Sequence, residues 1–158
     1  MADDAARAQN IAEAVAQGML ADDRASRALG MRIDAIGPGS ATLSMTVRDD
    51  MLNGFEICHG GYMTLLADSA FAFACNSHNA VTVAAGLSVE FLAPAHRGDV
   101  LTATARETQL SGRTGIYDIA VVNQRGEPVA MVRGKSHRLK DREVVRVDAH
   151  GCLAMPTA

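Results

Sequence analysis

The chain contains no tryptophan, and its aromatic residues amount to four Phe and two Tyr among 158. Side chains on which nucleic-acid bases could stack are therefore scarce. With 15 Lys and Arg against 18 Asp and Glu, the net charge of −3 also lacks the basic footprint that phosphate backbones require. Nucleic acid is not an expected partner. No run approaches the roughly 18 uninterrupted apolar residues of a membrane span, and the N-terminus, MADDAARAQN, is acidic where a secretory signal would be basic and then apolar. Neither a membrane nor export is expected, and the location read from the sequence is cytoplasmic. The three cysteines, Cys58, Cys75 and Cys152, are odd in number and have no paired-ligand spacing, which argues against a disulfide framework and a structural zinc site. Neither a metal nor a cofactor is expected.

What is present suits one globular unit: 48% of residues are hydrophobic and 21% charged, enough to close a single core. Residues 5 to 21 place Ile11, Val15, Met19 and Leu20 at helical spacing behind an acidic start, which predicts an amphipathic helix, and residues 22 to 30 read as a linker. From Met31 the period shortens. MRIDAI and ATLSMTV flank a Gly-Pro-Gly turn at 37 to 39 and predict a hairpin. An irregular stretch over 49 to 59 leads into GGYMTLLADSAFAFACNS, a helix from about Gly60 to Ser77 that is apolar on nearly every side and so should be enclosed. Four strand candidates follow, VTVAAGLSVEFLA, DVLTATARETQ, TGIYDIAVVNQ and EPVAMVRGKSHRL, with short connections that suggest an antiparallel meander. The expected class is α+β, a curved antiparallel sheet wrapped around a long central helix. The segments are 1–30 (helix and linker), 31–140 (the domain proper) and 141–158, a tail that reads as an extra edge strand or as disordered.

Chemistry is suggested by the one charge in the apolar helix. Asp68 is the only ionic side chain between Gly60 and Asn79, and a carboxylate in such surroundings is costly unless it is paired or used. Gly60 and Gly61 open the same helix, where the first N–H groups lack internal acceptors and the helix dipole is positive. A backbone N–H approached closely at a glycine suits an oxyanion in acyl transfer. The plainer reading of His59-Gly60-Gly61 is a tight turn into a helix, and that of Asp68 a structural hydrogen bond. Eight residues separate Gly60 from Asp68, about 12 Å along one helix. A single carbonyl cannot span that distance, so joint action requires Asp68 from a second copy and a site shared across a two-fold interface.

The segment MLNGFEICHGGYMTLLADSAFAFACNS, from Met51 to Ser77, closely resembles the hotdog-fold thioesterases of the PaaI type, which act in phenylacetate degradation. The likeness extends through SVEFLAPAHRGDVLTATA, TGIYDIAVVNQ and RGKSHRL, so that it covers roughly residues 30 to 140. The resemblance implies a hotdog fold and hydrolysis of a coenzyme A thioester. It assigns Asp68 as general base or nucleophile, the Gly60 N–H as oxyanion donor, Asn53 as a residue positioning water or thioester, and His59 as the residue orienting the glycine loop. It also implies a homodimer, paired into a tetramer, with acyl-CoA as the partner molecule and coenzyme A entering only as part of the substrate. One departure is that some relatives carry a Ser or Thr on the strand after the helix, where this chain has Val83-Ala84-Ala85-Gly86, flanked by Thr82 and Ser88. Ala72 likewise offers no hydroxyl at the fourth position after Asp68.

For the substrate, Gly61 and the apolar set Met51, Leu52, Phe55, Met63 and Leu66 are candidates to line an acyl site, methionine being adaptable in shape. Arg97, Arg113, Arg133 and Lys135 are basic residues at turns and strand ends suited to coenzyme A phosphates, Arg113 and Lys135 foremost. The resemblance points to phenylacetyl-CoA or its ring-hydroxylated forms. Two alternatives stand beside thioester hydrolysis: a hotdog enoyl-CoA hydratase or dehydratase, for which Glu56 and His59 would have to move a proton on the acyl chain, and a non-catalytic acyl-CoA binding module.

Overall fold

The computed structural model describes residues 2–154. Its elements in chain order are α1 (Ala2–Asp22), α2 (Arg24–Ala28), β1 (Arg32–Gly37), β2 (Ser40–Thr46), a 3-10 turn (Asp49–Met51), α3 (Gly60–Asn76), β3 (Thr82–Phe91), β4 (Val100–Ser111), β5 (Thr114–Val122) and β6 (Pro128–Arg138). The six strands form one antiparallel sheet in the order β1-β2-β4-β5-β6-β3, and α3 touches all six. This is the hotdog architecture, with α1 added outside β1.

Alternation along the strands explains the enclosure. On β4, Leu101, Ala103 and Ala105 are buried, and on β5, Tyr117, Ile119 and Val121. The residues between them face away from the helix, as period-two geometry demands. Opposite them, α3 buries Leu66, Ala67, Ala70, Phe71, Phe73 and Ala74. The Phe71 ring lies so close to β6 that a Cβ on Gly134 would stand 2.9 Å from it, and it meets Tyr117 at 5.3 Å between centroids, tilted by 57°. Small residues on the strands thus let one large aromatic sink into the sheet.

Three expectations are corrected. The strands after α3 are not a simple meander: β4, β5 and β6 are, but β3 pairs with β6 at the far edge. Residues 92–99 carry the chain back across the sheet end, anchored where Leu92 N–H donates to Val129 O, Cys58 N–H to Ala95 O and Val47 N–H to Asp99 O. Nor is α3 sheathed on every side, for Gly61, Thr64, Leu65, Asp68 and Ala72 form a stripe that stays open or half-open. A sheet curved around a helix covers an arc, not the full circumference. Finally, the 22–30 linker contains α2, whose start is capped by Asp23 accepting from Ser26 N–H at 2.9 Å, with Ser26 Oγ reaching Ser69 on α3.

The tail is neither a sheet strand nor unstructured over its described residues. Asn79, at φ 58°, accepts from Val144 and Val145 N–H through Oδ1 and donates to Val145 O, while Arg7 and Asn10 on α1 donate to Ala149 and His150 carbonyls. Met1 and residues 155–158 lie outside the described residues.

The end of α3 is held by Asn76, 6% exposed, which donates through Nδ2 to Ala72 O and Thr82 O and accepts Thr82 N–H through Oδ1, each at 2.9 Å. Asn76→Ala removes three bonds and leaves buried backbone groups of β3 unpaired, with an expected loss of about 2–3 kcal/mol. Thermal denaturation should register this as a fall in Tm of roughly 5–10 °C, and an unchanged Tm would contradict the anchoring role.

Candidate functional site

The site begins with a loop closed on itself. Leu52 and Cys58 form an isolated antiparallel bridge, Asn53 N–H donates to Ile57 O at 2.8 Å, and His59 N–H donates to Met51 O at 2.8 Å. Glu56 turns the chain at φ 60°. The Asn53 side chain builds the turn from within, its Oδ1 accepting Phe55 N–H at 2.9 Å. Its Nδ2 amide makes no bond among the described residues, so Asn53 combines a turn-forming oxygen with an uncommitted donor. Outside the loop, Arg97 pairs with Asp49 and Glu56, a charged strap over the bend.

His59 caps α3. Its Nδ1 accepts Gly61 N–H at 3.0 Å, which places the proton of the neutral ring on Nε2, and its carbonyl accepts Tyr62 N–H at 2.9 Å. Thr64 Oγ1 donates to Gly60 O at 2.9 Å. The N–H of Gly60 has no acceptor among the described residues. The glycine lets the Phe91 ring lie close: a Cβ at position 60 would stand 2.7 Å from its Cζ, so a larger residue would have to push that half-exposed ring aside.

Gly60 borders a cleft of about 640 Å³. One wall is the loop and helix start, with Asn53, Ile57, Cys58, His59, Gly60, Gly61 and Met63; the other is formed by Phe91 at the end of β3 and by Leu92, Ala93 and Pro94 beyond it. The lining is apolar apart from the loop's own polar groups, and in the single chain the cleft is open to solvent, with His59, Gly61, Phe91 and Leu92 exposed. His59 and Gly61 also border a second hollow with Tyr62 and Leu65, at the head of the open stripe of α3.

Asp68 lies farther along that stripe. It is half-buried, and among the described residues its carboxylate has neither a hydrogen-bond nor an ion-pair partner. Burial alone pushes its pKa above the usual carboxylate range. A carboxyl raised by desolvation without a compensating cation fits a proton acceptor better than a structural link.

The sequence-derived candidates divide accordingly. Asn53, His59, Gly60, Gly61 and Met63 meet at the cleft. Within the chain Asp68 stands apart from Gly60, at the helix-rise distance of about 12 Å. Met51 and Leu66 are fully buried core residues, Leu52 is half-buried behind the loop, and Phe55 is 85% exposed outside the cleft. The four basic residues also lie elsewhere. Arg97 is held by acids, Arg133 makes a bidentate pair with Asp118 at 2.7 and 2.8 Å on the outer sheet face, Lys135 is exposed on that same face, and Arg113 occupies the β4–β5 turn near Cys75, beyond Asp68 along α3. Of the two flanking hydroxyls, Thr82 donates to Ala80 O and Ser88 pairs opposite Arg133, so neither enters the cleft.

Sequence reading missed the Phe91–Pro94 wall. FLAP reads as the end of a strand running into a turn, and only the crossover of β3 to the far edge swings it over the helix start. The available signal was four residues without charge or hydrogen-bonding side chains at a strand end, just where the chain would normally turn polar.

Comparison with known proteins accords with this geometry. Residues 55–130 match the family model described as the thioesterase superfamily. The acyl-coenzyme A thioesterase PaaI of Escherichia coli is 47% identical over 124 residues, covering 78% of this chain and 89% of that protein. The solved E. coli PaaI structure, from the phenylacetic acid degradation operon, superposes with a TM-score of 0.82 at 45% identity, over 83% of this chain and 95% of that one. A variant of the phenylacetic acid degradation protein PaaI from Thermus thermophilus gives 0.71 at 37% identity, over 74% and 100%. With the hotdog fold, the loop-capped glycine helix and this identity over most of both chains, the chain belongs to the PaaI-type acyl-CoA thioesterases of the thioesterase superfamily.

Proposed function

We propose that the protein hydrolyses aryl-acetyl thioesters of coenzyme A, phenylacetyl-CoA or its ring-hydroxylated forms, to the free acid and coenzyme A. The observation that carries this reading is the unaccepted N–H of Gly60, a residue at the head of a helix that borders an apolar cleft. The thioester carbonyl oxygen sits against that N–H, which gains strength as the oxygen takes up charge in the tetrahedral transition state, by about 3 kcal/mol. Asn53 Nδ2 supplies a second donor for the thioester or the water, and His59 holds the helix start in register by occupying Gly61. Asp68 of a second copy completes the site, either taking a proton from water or attacking the carbonyl to form an anhydride that water then opens.

The shared arrangement is supported by two surfaces. The outer edge of β3 is unpaired and carries Val83 and Leu87, both exposed, next to the open stripe of α3. Free strand edges with apolar side chains are templates for pairing. A two-fold pairing of β3 edges would set two α3 helices side by side and antiparallel, bringing each Asp68 toward the other copy's Gly60. Dimers of this kind would associate further into a tetramer, with Arg113 and Lys135 as the basic groups open to coenzyme A phosphates. No helix among the described residues is long and apolar enough to cross a membrane, and a cytoplasmic enzyme is the reading that fits the unpaired cysteines. Hydration of an enoyl-CoA is less well supported, because Glu56 is exposed and faces Arg97 outside the cleft.

Asp68→Asn should lower kcat by about 10²–10⁴ in a thiol-release assay. The same change has a signed effect on stability. Because the folded-state pKa is raised, ionisation of Asp68 opposes folding, and its stability contribution is lost as pH rises through that pKa. Asp68→Asn should therefore melt higher than the parent at neutral pH, with the gap closing below the ordinary Asp range; a gap independent of pH would contradict the burial argument.

Gly60 offers a matched pair of substitutions. His59, at φ −62° and ψ 131°, already has the backbone that proline demands of its predecessor, and proline is accepted at a first helical position. Gly60→Ala and Gly60→Pro both press on Phe91, but only the second removes the N–H. Gly60→Pro should lie about 10²–10³ below Gly60→Ala in kcat, whereas equal rates would remove the oxyanion role.

Mixing inactive Gly60→Pro with inactive Asp68→Asn, after dissociation and reassociation, should restore about a quarter of the parent rate, through mixed dimers with one intact site. Failure to recover activity from verified mixed dimers would exclude a site shared between chains.

A further inference from the structure

Phe91 is the last residue of β3, paired with Ala130 of β6 and so facing the helix side of the sheet. It is nevertheless 53% exposed, because beyond Val89 the sheet runs past the start of α3 and the ring projects over the helix end rather than against its flank. The ring lies against the Cα of Gly60: Cζ, Cε1 and Cε2 stand 2.7, 3.1 and 3.2 Å from where a Cβ would be. The three atoms nearest that position thus all belong to this one ring. Leu92 follows at 55% exposure and Pro94 stiffens the turn, so the ring is the innermost part of an apolar wall facing Asn53, His59 and Met63.

We infer that Phe91 is the residue that selects the acyl group, by offering its ring to an aromatic group carried one methylene from the thioester carbon. This rests on the proposed thioester hydrolysis and deepens it. With the carbonyl oxygen on the Gly60 N–H, the acyl group enters the cleft beside the ring that packs on Gly60 Cα. An aromatic substituent at the next carbon but one is then on the side of the cleft that the ring lines, where aromatic pairs settle edge-to-face or offset at roughly 4.5–7 Å between centroids. A straight alkyl chain in the same place meets the ring by dispersion alone, without the quadrupole contribution. Phe91 also packs on Gly60 whatever the substrate, and so excludes water from that face of the residue. Its loss should thus lower rates generally and aryl substrates further.

The test compares phenylacetyl-CoA with hexanoyl-CoA on the parent, Phe91→Leu and Phe91→Ala, with melting curves for each and Asp68→Asn as the inactive reference. Leucine keeps apolar volume and the cover over Gly60 but has no π-face. For Phe91→Leu, the ratio of kcat/KM for the aryl over the alkyl substrate should fall by about three- to tenfold, mostly through KM, with little change in Tm. Phe91→Ala should show the same fall in ratio together with a further loss of kcat on both substrates. Equal losses on the two substrates for Phe91→Leu would make Phe91 a structural cover and overturn the inference while leaving thioester hydrolysis in place. Should the parent release no more thiol than Asp68→Asn from either substrate, the hydrolysis reading and this inference would fall together.

Discussion

The arrangement of the cleft depends on how the first turn of α3 is capped. A helix start presents several N–H groups without partners, and their distribution decides whether it is inert or reactive. Here one residue satisfies two of them: His59 takes Gly61 N–H with its ring and Tyr62 N–H with its carbonyl. The Gly60 N–H is left without an acceptor among the described residues, on a residue that borders the apolar cleft. A Ser or Asp cap would satisfy the helix comparably but would place a small polar oxygen where the imidazole now forms a wall shared by the cleft and the adjoining hollow. The capping group therefore shapes the cleft as well as stabilising the helix.

The loop before the helix makes this cap possible. Asn53 Oδ1, the Leu52–Cys58 bridge and the positive φ of Glu56 fold seven residues into a rigid bend, and Cys58 N–H fastens it to Ala95 on the crossover. The crossover exists because β3 lies at the far edge of the sheet. The same topology that leaves an edge free also brings Phe91 and Leu92 over Gly60, so the cleft is assembled from stretches some thirty residues apart without any long side chain having to reach across.

The helix, its glycine start, the isolated carboxylate and most strands were legible from local pattern: period, turn residues and one misplaced charge. The loop residues Asn53 and His59 were singled out through the family resemblance, since an Asn-Gly turn or a single histidine carries no such signal by itself; the structure puts both at the cleft. Strand order was not, since the apolar alternation of β3 is the same whether its neighbour is β4 or β6. That ambiguity hid the Phe91–Pro94 wall. It also allowed Met51 and Leu66 to be read as lining residues, although period alone cannot separate a core-facing from a cleft-facing apolar side chain. The open stripe was missed for a different reason: alanines at 67, 70, 72 and 74 make α3 look uniformly apolar, and a small side chain reads the same under the sheet as beside an uncovered surface.

The strand that ends in Phe91 is also the sheet's free edge. Its first residues face outward to whatever lies beside the sheet, and its last residue lies on the glycine that borders the cleft. A slip of one residue in β3 would turn Phe91 to the outer face and simultaneously shift Val83 and Leu87 along the edge. Substitutions at either end of β3 are thus tied to the other through one shared register, so the free edge and the cleft wall cannot be reshaped independently.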